Sequence, residues 1–106
     1  MTSQTNSQIN LESLPAGSLI DVETRSRHYS IECLGGHAVR VSGHPDYCET
    51  PMPAELYGSV HEAGGIGIGM IEPGSRLMFL MKGRGPMTTS KVLSVNVEQP
   101  VSASVH

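Results

Sequence analysis

The sequence predicts an all-β protein, a small barrel or sandwich of six to seven mostly antiparallel strands with no substantial helix. Apolar and polar residues alternate with a period of two along most of the chain, as half-buried strands require. Glycine and proline are frequent, with 12 Gly and 7 Pro among 106 residues, which favours short elements joined by turns. No pattern of helical period extends over three turns.

The length is that of one domain. We expect a single β domain over residues 14–98, because the alternating pattern is confined to this range. The preceding residues 1–13 are rich in Ser, Thr, Gln and Asn and predict a flexible N-terminal arm. Residues 99–106 have a similar composition and predict a flexible C-terminal tail.

The first half of the domain predicts a three-stranded meander. Residues 18–25, 28–34 and 37–42 each alternate between apolar and polar side chains. Gly35 and Gly36 lie between the second and third of these segments and predict a two-residue hairpin turn, since both positions of that turn type favour positive φ.

The second half begins with a long loop, residues 43–53, whose three prolines cannot donate to a strand ladder. Further strands are predicted over residues 54–60, 64–70, 76–81 and 87–98. The segment 76–81 is mostly apolar at both alternating sets of positions, so we expect both of its faces to be buried. Pro73 and Gly74 occupy the second and third positions of a predicted type II turn over residues 72–75.

The glycine-rich run over residues 64–70 resembles a phosphate-binding loop only in composition. Such loops need a helix directly after them, and here Glu72 and Pro73 continue into a turn. Gly67 and Gly69 alternate with Ile66 and Ile68, which indicates a strand on which another backbone or a large side chain approaches the glycine face.

The overall charge argues against several classes of partner. The formal net charge is −3, whereas binding to nucleic acid needs clustered Lys and Arg. No segment approaches the roughly 18 to 20 apolar residues of a membrane span, and the polar start does not resemble a signal peptide. We therefore expect a cytoplasmic protein with no membrane partner.

Cys33 and Cys48 are too few for a disulfide scaffold and are expected as thiols.

A zinc site is one hypothesis for function. His44 and Cys48 lie close together in the proline-rich loop, and His61 follows the next strand. Imidazole and thiolate are the donors that zinc prefers, and three of them leave a position for water. No paired motif supports this spacing, so structural roles for the three residues remain the competing interpretation. Apart from zinc, no cofactor is expected.

The same loop is also the predicted place for another ligand, because binding groups tend to lie on loops held by a rigid sheet. We expect Tyr47 in the loop and Arg40 on the outward face of the preceding strand to be ligand-binding residues. A separate hypothesis is anion or nucleic-acid binding at the hairpin tips, through Arg25, Arg27, Lys82 and Arg84, if folding brings those tips together.

The sequence favours a non-catalytic binding or assembly module over an enzyme. Ser59, His61 and Glu62 have catalytic residue types, but alternate strand residues face opposite sides, so Glu62 does not share a face with the other two. The chain contains 6 Met, and Met78 and Met81 lie in the most apolar segment. This excess of apolar surface predicts a homo-oligomer that buries one face against its copy.

Overall fold

Six antiparallel strands close into a hydrogen-bonded ring in a computed structural model of the chain, which describes residues 2–5 and 8–100. The strands are β1 Thr2–Thr5, β2 Ile9–Asn10, β3 Leu19–Thr24, β4 His28–Gly35, β5 Ala38–Ser42, β6 Met52–Val60, β7 Ile66–Ile68, β8 Met70–Ile71, β9 Arg76–Met81 and β10 Gly85–Glu98. The only helical element in the described ranges is a 3-10 turn, Leu11–Ser13. The predicted all-β fold is confirmed.

The ring runs in the order β10, β3, β4, β5, β6 and β9, and β9 returns to β10. Two strands extend this sheet outside the ring: β1 pairs with β10, and β7 pairs with β6. The short strands β2 and β8 form a separate sheet. No helix among the described residues is long and apolar enough to span a membrane.

The core lies inside the ring, because alternate residues of each ring strand point inward. Phe79 is the largest fully buried side chain, and its ring lies 6.5 Å from that of Tyr29. Aliphatic side chains from every ring strand surround this pair: Ile20, Val22, Ile31, Val39, Val41, Leu56, Leu77, Val92 and Val95.

The N-terminal segment differs from the flexible arm expected from its composition. Residues Thr2–Thr5 pair with β10, and β2 pairs with β8. Leu11 is buried in the core, and its backbone N–H donates to the Gly69 carbonyl over 2.8 Å. Backbone pairing does not require apolar side chains, so polar composition alone did not indicate these strands. Residues 1, 6 and 7 lie outside the described residues, as do 101–106 of the expected tail.

Strand β6 begins earlier than predicted, because Met52 and Pro53 already pair with β5. The pairing of β9 with β6 starts only at Ala54, so Pro53 is flanked by a single strand and its missing N–H disrupts no ladder on the other side. The long loop therefore ends at Pro51.

Strand β9 corrects the prediction of burial on both faces. Its residues alternate, with Leu77, Phe79 and Met81 buried in the core. Met78 and Leu80 point outward, and Leu80 remains 37% exposed. The apolar residues at both sets of positions thus reflect an apolar outer surface.

The predicted turns are found with one shift. Ser75 N–H donates to the Glu72 carbonyl over 3.1 Å and Gly74 has φ 92°, as a type II turn requires. The β4–β5 turn lies one residue later than expected, at Gly36 and His37. A register shift between Cys33 and Gly35 lengthens β4 by that residue.

Candidate functional site

The β5–β6 loop, residues 43–51, folds back on itself. Gly43 N–H donates to the Cys48 carbonyl, and Cys48 N–H donates to the His44 carbonyl, each over 2.8 Å. The His44 ring meets Tyr47 edge-on at 4.9 Å, and its Nδ1 accepts the Asp46 N–H over 3.1 Å. Cys48 is buried in the core, so its thiol packs within the protein. The His44 ring is held by its contacts with Tyr47 and Asp46.

The structure does not bring His61 to this loop. His44 and Cys48 precede β6 and His61 follows it, so a nine-residue strand, about 30 Å long, separates them. His61 Nε2 instead lies 3.1 Å from Glu72 Oε1. No group of three His, Cys, Asp or Glu side chains in the described ranges is arranged to hold a metal ion. The hypothesis of a zinc site at His44, Cys48 and His61 therefore finds no support in the geometry.

Ser59 lies beside His61 in sequence but is fully buried and has a structural role. Its Oγ donates to the Met70 carbonyl and accepts the Glu72 N–H, each over 2.9 Å. These bonds fix the chain as it leaves β7 and β8. The His61 side chain is hydrogen-bonded to Glu72, and the Ser59 hydroxyl is bonded to the backbone of residues 70 and 72.

The glycine face of β7 is approached by side chains, as the sequence predicted. A Cβ atom at Gly67 would clash with Glu72 Oε2 and would lie 3.5 Å from His61 Nε2. At Gly69 it would lie 3.0 Å from His37 Nε2, which is also 2.9 Å from Glu12 Oε2. The glycines therefore make room for two His–Glu pairs, one of which ties the N-terminal segment to the ring.

The two predicted ligand-binding residues lie in different surroundings. Tyr47 is covered by Arg84, whose guanidinium carbon is 5.3 Å from the ring centroid. Arg40 donates to Glu32 Oε1 over 2.9 Å on the outward face of β4 and β5. It lines a shallow cleft of about 230 Å³ together with Leu19, Asp21, Ser30, Ser42, Pro51 and Glu98. Tyr47 and Arg40 therefore do not form one shared site.

The basic residues of the hairpin tips separate into different contacts. Arg84 lies on Tyr47, whereas Arg25 lines a cleft with Arg76 and Lys91. Sequence reasoning missed Arg76 and Lys91, because they lie in strands and far from Arg25 along the chain. Arg76 and Lys91 are paired directly because of the register between β9 and β10.

The two cysteines are free and buried, as expected for thiols. Burial raises the pKa of the Cys33 thiol, and the nearby Glu32 carboxylate raises that pKa further. Burial likewise raises the pKa of Tyr29, with a further increase from Cys48 and a smaller opposing effect of Arg27. Cys33 therefore stays a protonated thiol at neutral pH, which does not suit it as a nucleophile.

Apolar side chains are exposed on the outer surface of β7 and β9. Gly58 of β6 pairs with Ile68 of β7 on one side and with Met78 of β9 on the other. Directly paired residues and alternate residues of one strand share a face, so Ile66, Ile68, Met78 and Leu80 lie on one outward surface, called the apolar face below. Charged residues border it, because Glu55 pairs with Leu80 and Arg76 lies in the same row as Ile66. Ile68 is 61% exposed and Ile66 is 43% exposed.

No family model, curated protein or solved structure matches this chain.

Proposed function

We propose that this protein is a non-catalytic assembly module that binds a second copy of itself through the apolar face. The single observation that carries the proposal is the shared outward direction of Ile66, Ile68, Met78 and Leu80. Isolated exposed apolar residues are normal on a protein surface, but a contiguous group marks an interaction site.

The arrangement of the apolar face is compatible with pairing with a copy. Ile68 and Met78 lie on either side of Gly58 in one row, and Gly58 itself is buried. A two-fold axis can place this row of one copy against the same row of the other, so that Ile68 and Met78 make the contact.

The backbone at Gly58 explains why a glycine lies at the centre of this row. A Cβ atom there would clash with the Gly67 carbonyl oxygen, and φ is 151°, a backbone conformation that residues other than glycine rarely adopt. The close approach of β6 and β7 thus requires a glycine at the centre of the apolar face.

The chemistry of the face limits the expected affinity. Burying a large aliphatic side chain contributes about 1.5–3 kcal/mol, and these residues are already partly covered. A small interface of this kind typically forms a transient dimer. We expect a dissociation constant of roughly 10–100 µM, or about −5.5 to −7 kcal/mol.

Sedimentation velocity over a concentration series that spans this constant tests the proposal. The wild-type protein should shift from monomer to dimer, and Ile68→Lys and Leu80→Lys should each stay monomeric because the burial of a charged side chain in the interface is costly. Leu93→Lys is the matched control: Leu93 is 50% exposed on β10 and lies outside the apolar face.

Two results would contradict the proposal. A monomeric wild type at about 500 µM, well above the expected constant, would exclude self-association through this face. A dimer that survives Leu80→Lys and is lost in Ile68→Lys would instead indicate pairing along the open edge of β7, because Leu80 lies two strands away from that edge.

A further inference from the structure

A second surface gathers positive charge on a protein whose formal net charge is −3. A cleft of about 380 Å³, called the basic cleft here, is lined by Arg25, Ser26, Glu62, Arg76, Ser90 and Lys91. Three cationic side chains thus face one carboxylate. The residues come from the β3–β4 turn, the end of β6 and the adjoining parts of β9 and β10.

Backbone contacts fix the walls of the basic cleft. Arg25 N–H donates to the Lys91 carbonyl over 3.0 Å, and Ser26 N–H donates to Ser90 Oγ over 3.1 Å. The register of β10 against β9 shifts between Thr88 and Lys91, which is the point where the β3–β4 turn docks. Since Ser90 Oγ accepts the Ser26 bond, its own O–H remains a donor for a ligand.

The charges in the basic cleft are arranged at a cost to the fold. Arg76 and Lys91 pair directly across β9 and β10, and like charges at such positions destabilise a sheet. Lys91 Nζ lies 3.2 Å from Glu62 Oε2, but the Glu62 side chain is 74% exposed and solvent screens this pair. The Glu62 carboxylate therefore compensates the positive charge of the cleft only in part, which is typical of a site that an anion completes.

We propose that the basic cleft binds a small phosphorylated ligand through Arg25, Arg76 and Lys91. A guanidinium group presents paired N–H donors that match two phosphate oxygens, and an ammonium group adds a compact charge. The Ser90 hydroxyl supplies a further donor beside them. One carboxylate against three cations leaves a formal excess charge that a phosphate dianion neutralises.

The cleft also has room for the organic part of such a ligand. A neighbouring hollow of about 270 Å³ shares Glu62, Arg76 and Lys91 with it and continues past Val60 and His61. A long polyanion fits less well, because Asp21 and Glu23 lie on the outward face of the strand that ends at the cleft and would repel it.

Isothermal titration with pyrophosphate tests this site, with adenosine monophosphate as a second probe. We expect saturable binding and a loss of affinity of roughly tenfold or more in Arg76→Gln and in Lys91→Gln, because each removes a charge-assisted contact. Lys82→Gln is the matched control, since it removes the same charge at the β9–β10 turn. Arg76→Gln should melt no lower than the wild type, because it relieves the like-charge pair.

Glu62→Gln gives a change of the opposite sign. Removing the carboxylate that competes for Lys91 should tighten pyrophosphate binding several-fold. The proposal is overturned if pyrophosphate shows no saturable binding, if Lys82→Gln weakens it as much as Lys91→Gln, or if Glu62→Gln leaves it unchanged. A random oligonucleotide that displaces pyrophosphate with a steep dependence on salt would replace the small ligand with a nucleic acid.

Discussion

Two parts of the same sheet present chemically different surfaces to solvent. The outward face of β3, β4 and β5 pairs Glu32 with Arg40 and Asp21 with Ser30, and it also exposes Leu19 and Leu34. We call it the charged face. The outward face of β7, β6 and β9 has Ile68 and Met78 on either side of Gly58. Both parts enclose the same apolar interior, so the difference arises only from the outward half of each alternating pattern. Water satisfies the charged face, whereas the apolar face gains stability from a partner.

The largest expected effect separates the interior from the apolar face within one strand. Phe79→Ala should lower the free energy of unfolding by about 3–5 kcal/mol, because it leaves a cavity beside Tyr29. Leu80→Ala, one residue further along β9, should cost less than about 1 kcal/mol in the monomer. Urea unfolding of both variants at low protein concentration measures the difference. Similar losses would mean that the apolar face is part of the core.

An intermediate effect is expected at the centre of the apolar face. Gly58→Ala should lower the free energy of unfolding by about 1–3 kcal/mol, because the new Cβ meets the Gly67 carbonyl and the backbone conformation is strained. Gly83→Ala is the control for the strain alone, since Gly83 also has positive φ but no atom within 4 Å of the added Cβ. Equal losses, measured by urea unfolding, would show that the close approach of β6 and β7 contributes nothing.

The smallest effect is expected on the charged face. Arg40→Ala removes the bond to Glu32, but both side chains are well exposed, so the loss should be below about 1 kcal/mol. Thermal unfolding at low and high salt measures it, and the small difference from the wild type should shrink as salt screens the pair. A larger loss that salt does not change would show that Arg40 acts through packing in its cleft.

Local chemistry made much of the fold predictable. The alternating residues of β3, β4, β5 and β10 identified these strands, because the period of two is a property of each strand alone. Pro73 and Gly74 identified a turn because their backbone preferences are also local. The N-terminal strands were missed because Thr2–Thr5 is recognised only through its backbone pairing with β10.

The candidate sites were predictable to a smaller extent. Tyr47 contacts two other predicted residues, His44 and Arg84, whereas Arg40 lies in a separate cleft. Arg25 lies in the β3–β4 turn, but the basic residues beside it are Arg76 and Lys91 rather than those of the other hairpin tip. Their convergence depends on a register shift in β10, which no local pattern announces.

The sequence by itself determined that the chain is all-β, where its main strands lie and which of their residues point into the core. Alternation and turn chemistry suffice for this because they act over a few residues. Only the tertiary structure decided that β9 joins β10 to β6 and closes the ring, and that Ile68 and Met78 share a face across Gly58. The same holds for the basic cleft. Strand pairing joins residues far apart in sequence, and its register depends on the packing of the whole sheet.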